Sequence, residues 1–341
     1  MRSVVFDADL AAWLATKTDK TAICRLVRID WQTVGRIVQR VGDELLDRDR
    51  LSDLFEISID EVAWRKGHRY LTLVGDHRRR CVVWGAEGKG QAADAFFADL
   101  DADQPVDGEP GEDAETPAVQ EIEAADEPAV GERASKLVAV SMDMGEGYAK
   151  SVRRHAPQAV ICIDNYHVVA LATKALDEVR REHWNQLRAT GDPDAAKAFK
   201  DGRWSLLKNP ADLTDQQADT LAALHAAGGK IPRAWALKEM VRAIFAAGLS
   251  EQAVSELIDR LLARLSRSRL KPFVRLGRTI RKHRDGILAA RRLKLTNASA
   301  EALNNKVKLI VRRAYGFHSP DALIAMIYLC CSNITINLPR K

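Results

Sequence analysis

Two apolar runs joined by a short polar turn, with an acid pair set inside the first, constrain this chain more than any other feature. In EISIDEVAWRKGHRYLTLVGD (Glu56 to Asp76), Ile57, Ile59, Val62 and Trp64 read as a strand and Arg69 to Val74 as its neighbour, yet Asp60 and Glu61 stand mid-strand. Burying an ionised carboxylate costs several kcal/mol unless something positive compensates it. The fold has to answer for Asp60.

The rest of the chain supplies a frame. A third strand-like run covers 81–84, and the helical stretch GQAADAFFADL follows. From residue 136 the pattern is strand (KLVAVSMDM), helix (GYAKSVRRHAP) and strand (AVICID). The runs LVAV and AVICI are apolar on both faces, as central parallel strands are. Hairpin-linked strands followed by β-α-β units predict an α/β fold with a mixed sheet flanked by helices, in the strand order of the ribonuclease-H-like fold. Residues from 168 to about 292 are helical in pattern and rich in Ala, Leu and Arg, which predicts a large all-helical insertion; a last helix begins near Ala298. The organisation read from this pattern is a helix-turn-helix region over 1–50, a sheet core over 51–100 and 135–167, an acidic disordered insertion over 101–134, the helical insertion over 168–292, and C-terminal helices over 293–341 that complete the core.

Composition narrows the class. A chain of 341 residues, 46% hydrophobic and 29% charged, can build more than one core. No apolar run reaches the roughly 18 residues of a membrane span, and MRSVVFDADLAAWLA is not a secretory signal. Five cysteines without C-x-x-C spacing predict neither a disulfide framework nor a thiolate zinc site. The expectation is a protein of a reducing cytoplasm with no membrane partner. Residues 101–132 hold twelve acids and four prolines but no Lys, Arg or aromatic residue, which predicts disorder. Without them 47 − 12 = 35 acids face 52 bases, so the remainder carries +17 rather than the overall +5. So basic a body suggests a polyanionic partner.

TDKTAICRLVRIDWQTVGRIVQRV (Thr18 to Val41) predicts a short helix with Ala22, Leu26 and Val27 as its apolar face, then a turn whose Asp30 caps a second helix. That helix buries Val34, Ile37, Val38 and Val41 and leaves Gln32, Thr33, Arg36, Gln39 and Arg40 outside. The pattern is that of a helix-turn-helix, shared in outline by ordinary helical hairpins. As a DNA reader it would set Gln32, Thr33 and Arg36 near base edges and Arg40 near phosphate.

Three acids stand out: Asp60, Asp143 at the end of LVAVSMD, and Glu301 at the start of the last helix. With the first strand central and the strand ending at Asp143 beside it, their acids meet at one sheet edge, and a helix packed there adds the third. Clustered carboxylates raise one another's pKa unless a cation is present. Two divalent ions, Mg²⁺ or Mn²⁺, about 3.5–4 Å apart would suit phosphodiester displacement. Each acid alone has a plainer role: Asp60 paired with Arg65, Lys66 or Arg69, Asp143 capping the next helix, Glu301 favoured by the helix dipole. Behind Glu301, Asn304, Asn305 and Lys308 share its face, with Arg312 and Arg313 beyond, a set suited to a phosphate backbone. CIDNYHVV adds Asp164, an alternative to Asp143 as second ligand, and His167, an auxiliary or structural histidine.

These blocks, with ALDEVRREHWNQLR and LTNASAEALNNKVKLIVRRAYGFHSPDAL, resemble the DDE transposases of the ISL-three type insertion sequences over about residues 10–335. The resemblance implies a ribonuclease-H-like catalytic domain interrupted by a helical insertion, a helix-turn-helix ahead of it, and a metal-ligating triad of Asp60, Asp143 and Glu301. It implies Mg²⁺-dependent cleavage of double-stranded DNA at terminal inverted repeats and joining to target DNA by a homodimer or larger assembly. A D-x-[FY]-H pattern falls on Asp164 and His167. Two departures stand out: family members start with a Cys-rich zinc-binding segment not found in this sequence, and the acidic stretch is an insertion. The rival expectations are a DNA-binding protein without catalysis and a nuclease that cuts without joining.

Overall fold

Alternating side chains make the strands. β1 (Glu56–Arg65), β2 (Arg69–Asp76) and β3 (Cys81–Glu87) form an antiparallel meander, β4 (Ala139–Met142) joins β1 in parallel, and β5 (Val160–Ile163) follows, giving the order β3-β2-β1-β4-β5. The β1–β2 turn places both Gly67 and His68 at positive φ, as tight hairpin turns matched to strand twist require. The computed structural model describes residues 7–102, 130–191, 193–295 and 298–338. Most of the acidic stretch, 103–129, lies outside the described residues. Its flanks are described: Asp101 ends a helix, and its Oδ1 accepts from the backbone N–H groups of Arg133 and Ala134, both at 3.1 Å.

The chain divides into two compact units, Met1–Ile161 with Ala298–Lys341, and Cys162–Asn297. The first carries α1 (Ala8–Ala15), α2 (Lys20–Val27), α3 (Trp31–Leu45), α4 (Ala92–Asp101), α5 (Glu132–Ser135) and α6 (Glu146–His155). The second carries α7 (Asn165–Ala189), α8 (Pro193–Asp201), α9 (Arg203–Leu207), α10 (Asp215–Ala227), α11 (Lys230–Ile244), α12 (Glu251–Arg267), α13 (Lys271–Lys282) and α14 (Arg284–Arg292). Two last helices, α15 (Ala298–Arg313) and α16 (Pro320–Cys331), return to the first unit.

In the first unit the sheet has a core on each face. Ile57, Ile59, Val74, Val140 and Met142 pack with Phe96, Phe97 and Leu100 of α4 and Val152 of α6. Val62, Trp64, Leu71 and Leu73 pack on the other face with Ile23, Val34, Ile37, Val41, Leu303, Val307 and Ile327. The N-terminal helices therefore share a core with β1 and the C-terminal helices. Gly42 of α3 lies at this seam, where a Cβ would make ordinary contact with the Ala325 carbonyl of α16 at 3.5 Å. One sequence expectation is corrected. Leu26 is 68% exposed, and Ile23 is the fully buried residue of α2. Ile23 and Val27, four apart, share a face, and α2 packs through that face rather than through the Ala22–Leu26 stripe about 100° away.

Beyond the end of β5, the elements of the second unit are all helices among the described residues. Its apolar seams include Leu237, Val241, Ile258, Leu261, Leu265, Phe273 and Ile280. Lys238 is buried among them; its ammonium donates to the Leu206 and Lys208 carbonyls at 2.9 and 3.2 Å and pairs with Glu239 at 2.7 Å. Burial lowers its pKa against the pull of Glu239.

Candidate active site

The parallel ladder of β1 and β4 ends at the pair Ile59↔Met142, so the next residues of the two chains are Asp60 and Asp143. Ile59 and Met142 both face the α4–α6 layer. Strand alternation then directs Asp60 toward the opposite face, where α15 packs through Leu303 and Val307. From α15, Asn304 Nδ2 donates to Asp60 Oδ2 at 2.6 Å, while Asp60 Oδ1 accepts from the Glu61 N–H at 2.8 Å. Asp143 Oδ1 accepts from the Gly145 N–H at 2.7 Å and so fixes the turn into α6. The acid in mid-strand thus sits half-buried at the margin of the core, with an N–H donor on each oxygen.

Residues unforeseen as site members gather here. The Tyr148 hydroxyl shares a hydrogen bond with Thr72 Oγ1 at 2.9 Å. Burial pushes it up to about 12 against that hydrogen bond, and the charges of Glu61, Asp143 and Asp60 push the same way. Lys89 Nζ lies 3.1 Å from Glu61 Oε2 and 3.5 Å from the centre of the Tyr70 ring. Its hydrogen bond to Glu61 holds the ammonium above its ordinary range, and Asp143 contributes. The turn carrying Lys89 reaches this position because two glycines meet: a Cβ on Gly147 would come within 2.9 Å of Gly90 Cα. The pattern EGKGQ marks a turn but not its partner. The glycines on either side of Lys89 are its only local clue.

Glu301 is exposed in the first turn of α15, three residues before Asn304 and so about 4.5 Å from it along the axis. Among the described residues no three His, Cys, Asp or Glu side chains are placed to hold one metal ion together. Asp60, Asn304 and the Asp143 turn come together here, and Glu301 stands about one turn before Asn304 on α15. Asn305, Lys308 and Arg312 are exposed on the same helix. Arg313 differs from the expectation of a DNA contact: its guanidinium donates to the Thr16 and Ala15 carbonyls at 2.6 and 3.3 Å, satisfying the C-terminal end of α1. In the second unit, Asp164 caps α7, with Oδ1 accepting from the Tyr166 N–H at 3.0 Å and Oδ2 lying 3.1 Å from His167 Nδ1.

At the N-terminal helices, Asp30 caps α3 by accepting from the N–H groups of Gln32 and Thr33, both at 2.9 Å. The Thr33 hydroxyl also donates to Asp30, which holds this carboxyl below its ordinary range. Arg36 Nη2 donates to Thr33 Oγ1 at 3.4 Å, and Arg40 pairs loosely with Glu44 at 3.6 Å. Gln32, Arg36, Gln39 and Arg40 are all exposed.

A five-stranded mixed sheet with acids following its central parallel ladder is the architecture of a ribonuclease-H-like fold. Comparison with known proteins agrees. A family model of the ISL3 type, described as transposase, matches residues 116–327. The transposase for insertion sequence element IS1557 of Mycobacterium tuberculosis is 36% identical over 354 residues, covering 98% of this chain and 73% of that protein, in strains CDC 1551 and H37Rv alike. The transposase for insertion sequence element IS1001 of Bordetella parapertussis is 28% identical over 320 residues, covering 92% and 70% respectively. The chain belongs to the ISL3-type family of insertion-sequence transposases.

Proposed function

We propose that this transposase cuts DNA at the ends of an insertion sequence and joins the freed ends to target DNA, with Asp60, Asp143 and Glu301 as its catalytic acids. The observation that carries the reading is the succession of Asp60 and Asp143 at the end of the β1/β4 ladder, under a helix whose first turn holds Glu301. The donor set fits a divalent metal ion. Carboxylate oxygens are the ligands that Mg²⁺ and Mn²⁺ take, and the half-buried Asp60 carboxylate is anchored by the Asn304 amide.

Asp60 and Asp143 would hold such ions, with Glu301 completing the set. When bound, they supply positive charge beside the scissile phosphate and its attacking and leaving oxygens. The protein's own share is positional. Asn304 orients Asp60, the Gly145 N–H orients Asp143, and the Lys89 ammonium holds Glu61. We prefer Asp143 to Asp164 as second acid because Asp143 follows β4 directly where Asp60 continues β1, at the end of the same ladder. Cleavage forms a P–O bond to water and breaks the P–O bond to the 3′ oxygen, which leaves as a hydroxyl. Joining repeats the exchange with that hydroxyl as nucleophile, so the number of phosphodiester bonds is kept and no outside energy is needed.

The N-terminal helices would bind the element's ends through Gln32, Thr33 and Arg36, with Arg40 on phosphate. Asn305, Lys308 and Arg312 would follow the backbone near the acids. Two ends must be joined, so the working form is a dimer or larger on DNA, in the bacterial cytoplasm.

The test incubates the protein with Mg²⁺ or Mn²⁺ and a duplex carrying an element end, alongside Asp60→Asn and Asp143→Asn. Nicks bearing 3′-hydroxyls and strand-transfer products, absent from both variants, are expected. Wild-type binding without cutting would sink the catalytic reading, and cutting without joining would leave a nuclease.

A further inference from the structure

Residues 260–294 hold thirteen Lys or Arg and one acid, a net +12. Not all of that charge is available to a partner. Arg275 is committed to Glu178 at 2.6 Å, Arg284 to Ser255 at 2.6 Å and Asp259 at 3.2 Å, and Arg291 to the Leu249 carbonyl at 2.7 Å. These arginines tie helices of the second unit to one another.

A different set is left facing outward. Between α11 and α12 lies a groove of about 360 Å³ rimmed by Arg233, Arg264 and Arg267, with Leu237, Met240 and Ala263 beneath and no acid in its lining. All three arginines are exposed, and among the described residues none forms an ion pair. Arg264 touches only the soft Met240 Sδ, at 3.7 Å, and Arg233 the Gly229 carbonyl of its own helix, at 3.2 Å. Arg264 and Arg267 stand one turn apart on α12, so their heads line one wall.

We infer that this groove seats a stretch of DNA sugar-phosphate backbone, with Arg233, Arg264 and Arg267 on phosphate oxygens and the apolar floor under deoxyribose. The inference rests on the reading that the chain acts on DNA. Arginine's fork binds phosphate oxygens in pairs, and three such groups without a competing acid leave a local field that a polyanion neutralises. An acidic amphipathic helix of another protein would meet the same rim. The floor, however, offers no aromatic anchor of the kind that dominates protein–protein binding.

The experiment measures binding of the full-length chain to a random-sequence duplex by fluorescence anisotropy across a salt series. It compares wild type, Arg264→Ala/Arg267→Ala, Arg264→Lys/Arg267→Lys, and Arg275→Ala, with thermal melts showing each folded. Removing two phosphate-binding guanidinium groups should weaken binding at least tenfold at low salt and flatten the slope of log K against log salt by about two. The lysine variant should recover most of the slope. A slope unchanged in the alanine variant, while wild type still binds and cuts end DNA, overturns the groove and leaves the transposase reading standing. A wild type that binds no DNA overturns both. If the alanine variant instead loses affinity for an acidic helical peptide and keeps its DNA slope, the groove belongs to a protein partner and the inference falls.

Discussion

Asn304 donates to Asp60 at 2.6 Å across 244 positions of sequence, and through this hydrogen bond the helix α15 reaches the central strand. A hydrogen bond to a charged group contributes about 1.5–3 kcal/mol, and a partner that orients a metal-binding carboxylate alters activity by about 10–100-fold. Asn304→Ala should therefore lower end cleavage by about that factor with a modest loss of stability. Cleavage rates indistinguishable from wild type at saturating Mg²⁺ would show that Asn304 merely packs.

Glu301 is exposed, so Glu301→Gln should leave the melting temperature nearly untouched, within the about 0.5 kcal/mol of ordinary surface changes. Its effect should fall on chemistry alone: strand cleavage lost, end binding kept. A variant that still cuts at wild-type rate would remove Glu301 from the catalytic set.

Arg36 projects from α3 beside Thr33, and among the described residues no acid pairs with it. Arg36→Ala should cost about 1–3 kcal/mol in binding to the element's end and little on random duplex, because a base contact carries sequence and a phosphate contact does not. Equal losses on both duplexes would reassign Arg36 to the backbone.

Residues 103–129 contribute ten acids and no base. Their deletion should tighten binding to random duplex at low salt, and the gain should fade as ionic strength rises and the Debye length shortens. Equal affinity at low salt would mean that these charges do not screen the basic body.

In the second unit, Asp177 receives Arg180 at 2.8 Å and Arg181 at 2.7 Å. Burial works to raise its carboxyl, but the Arg180 hydrogen bond and the two arginine charges outweigh it and hold the group below its ordinary value. A depressed folded pKa means that the unfolded chain takes up the proton first. The stabilisation is then complete above the unfolded value, about 3.9, and is lost as pH falls through the folded one. At neutral pH Asp177→Asn should cost about 3–5 kcal/mol, since Arg180 stays buried without its partner. The melting difference from wild type should hold steady down to about pH 5 and narrow below that. A gap that persists into acid unfolding would point to packing instead.

The sheet and its order were legible in sequence because strand signals are local. Period-two alternation marks β1 and β2, and apolar runs without alternation mark the buried parallel strands β4 and β5. The succession of Asp60 and Asp143 followed from that order. The cap at Asp30 was equally local, since an acid three residues from the N–H it accepts needs no distant partner. Side-chain partners between remote elements were not legible, because periodicity says which face is apolar and nothing about which atom of another element will stand against it. So only the tertiary structure turned α2 on Ile23 rather than Leu26, spent Arg313 on the carbonyls of α1, and folded the N-terminal helices into the core of the sheet. It also brought Lys89 to Glu61 through the meeting of Gly90 and Gly147, and set Asn304 on the carboxylate of Asp60.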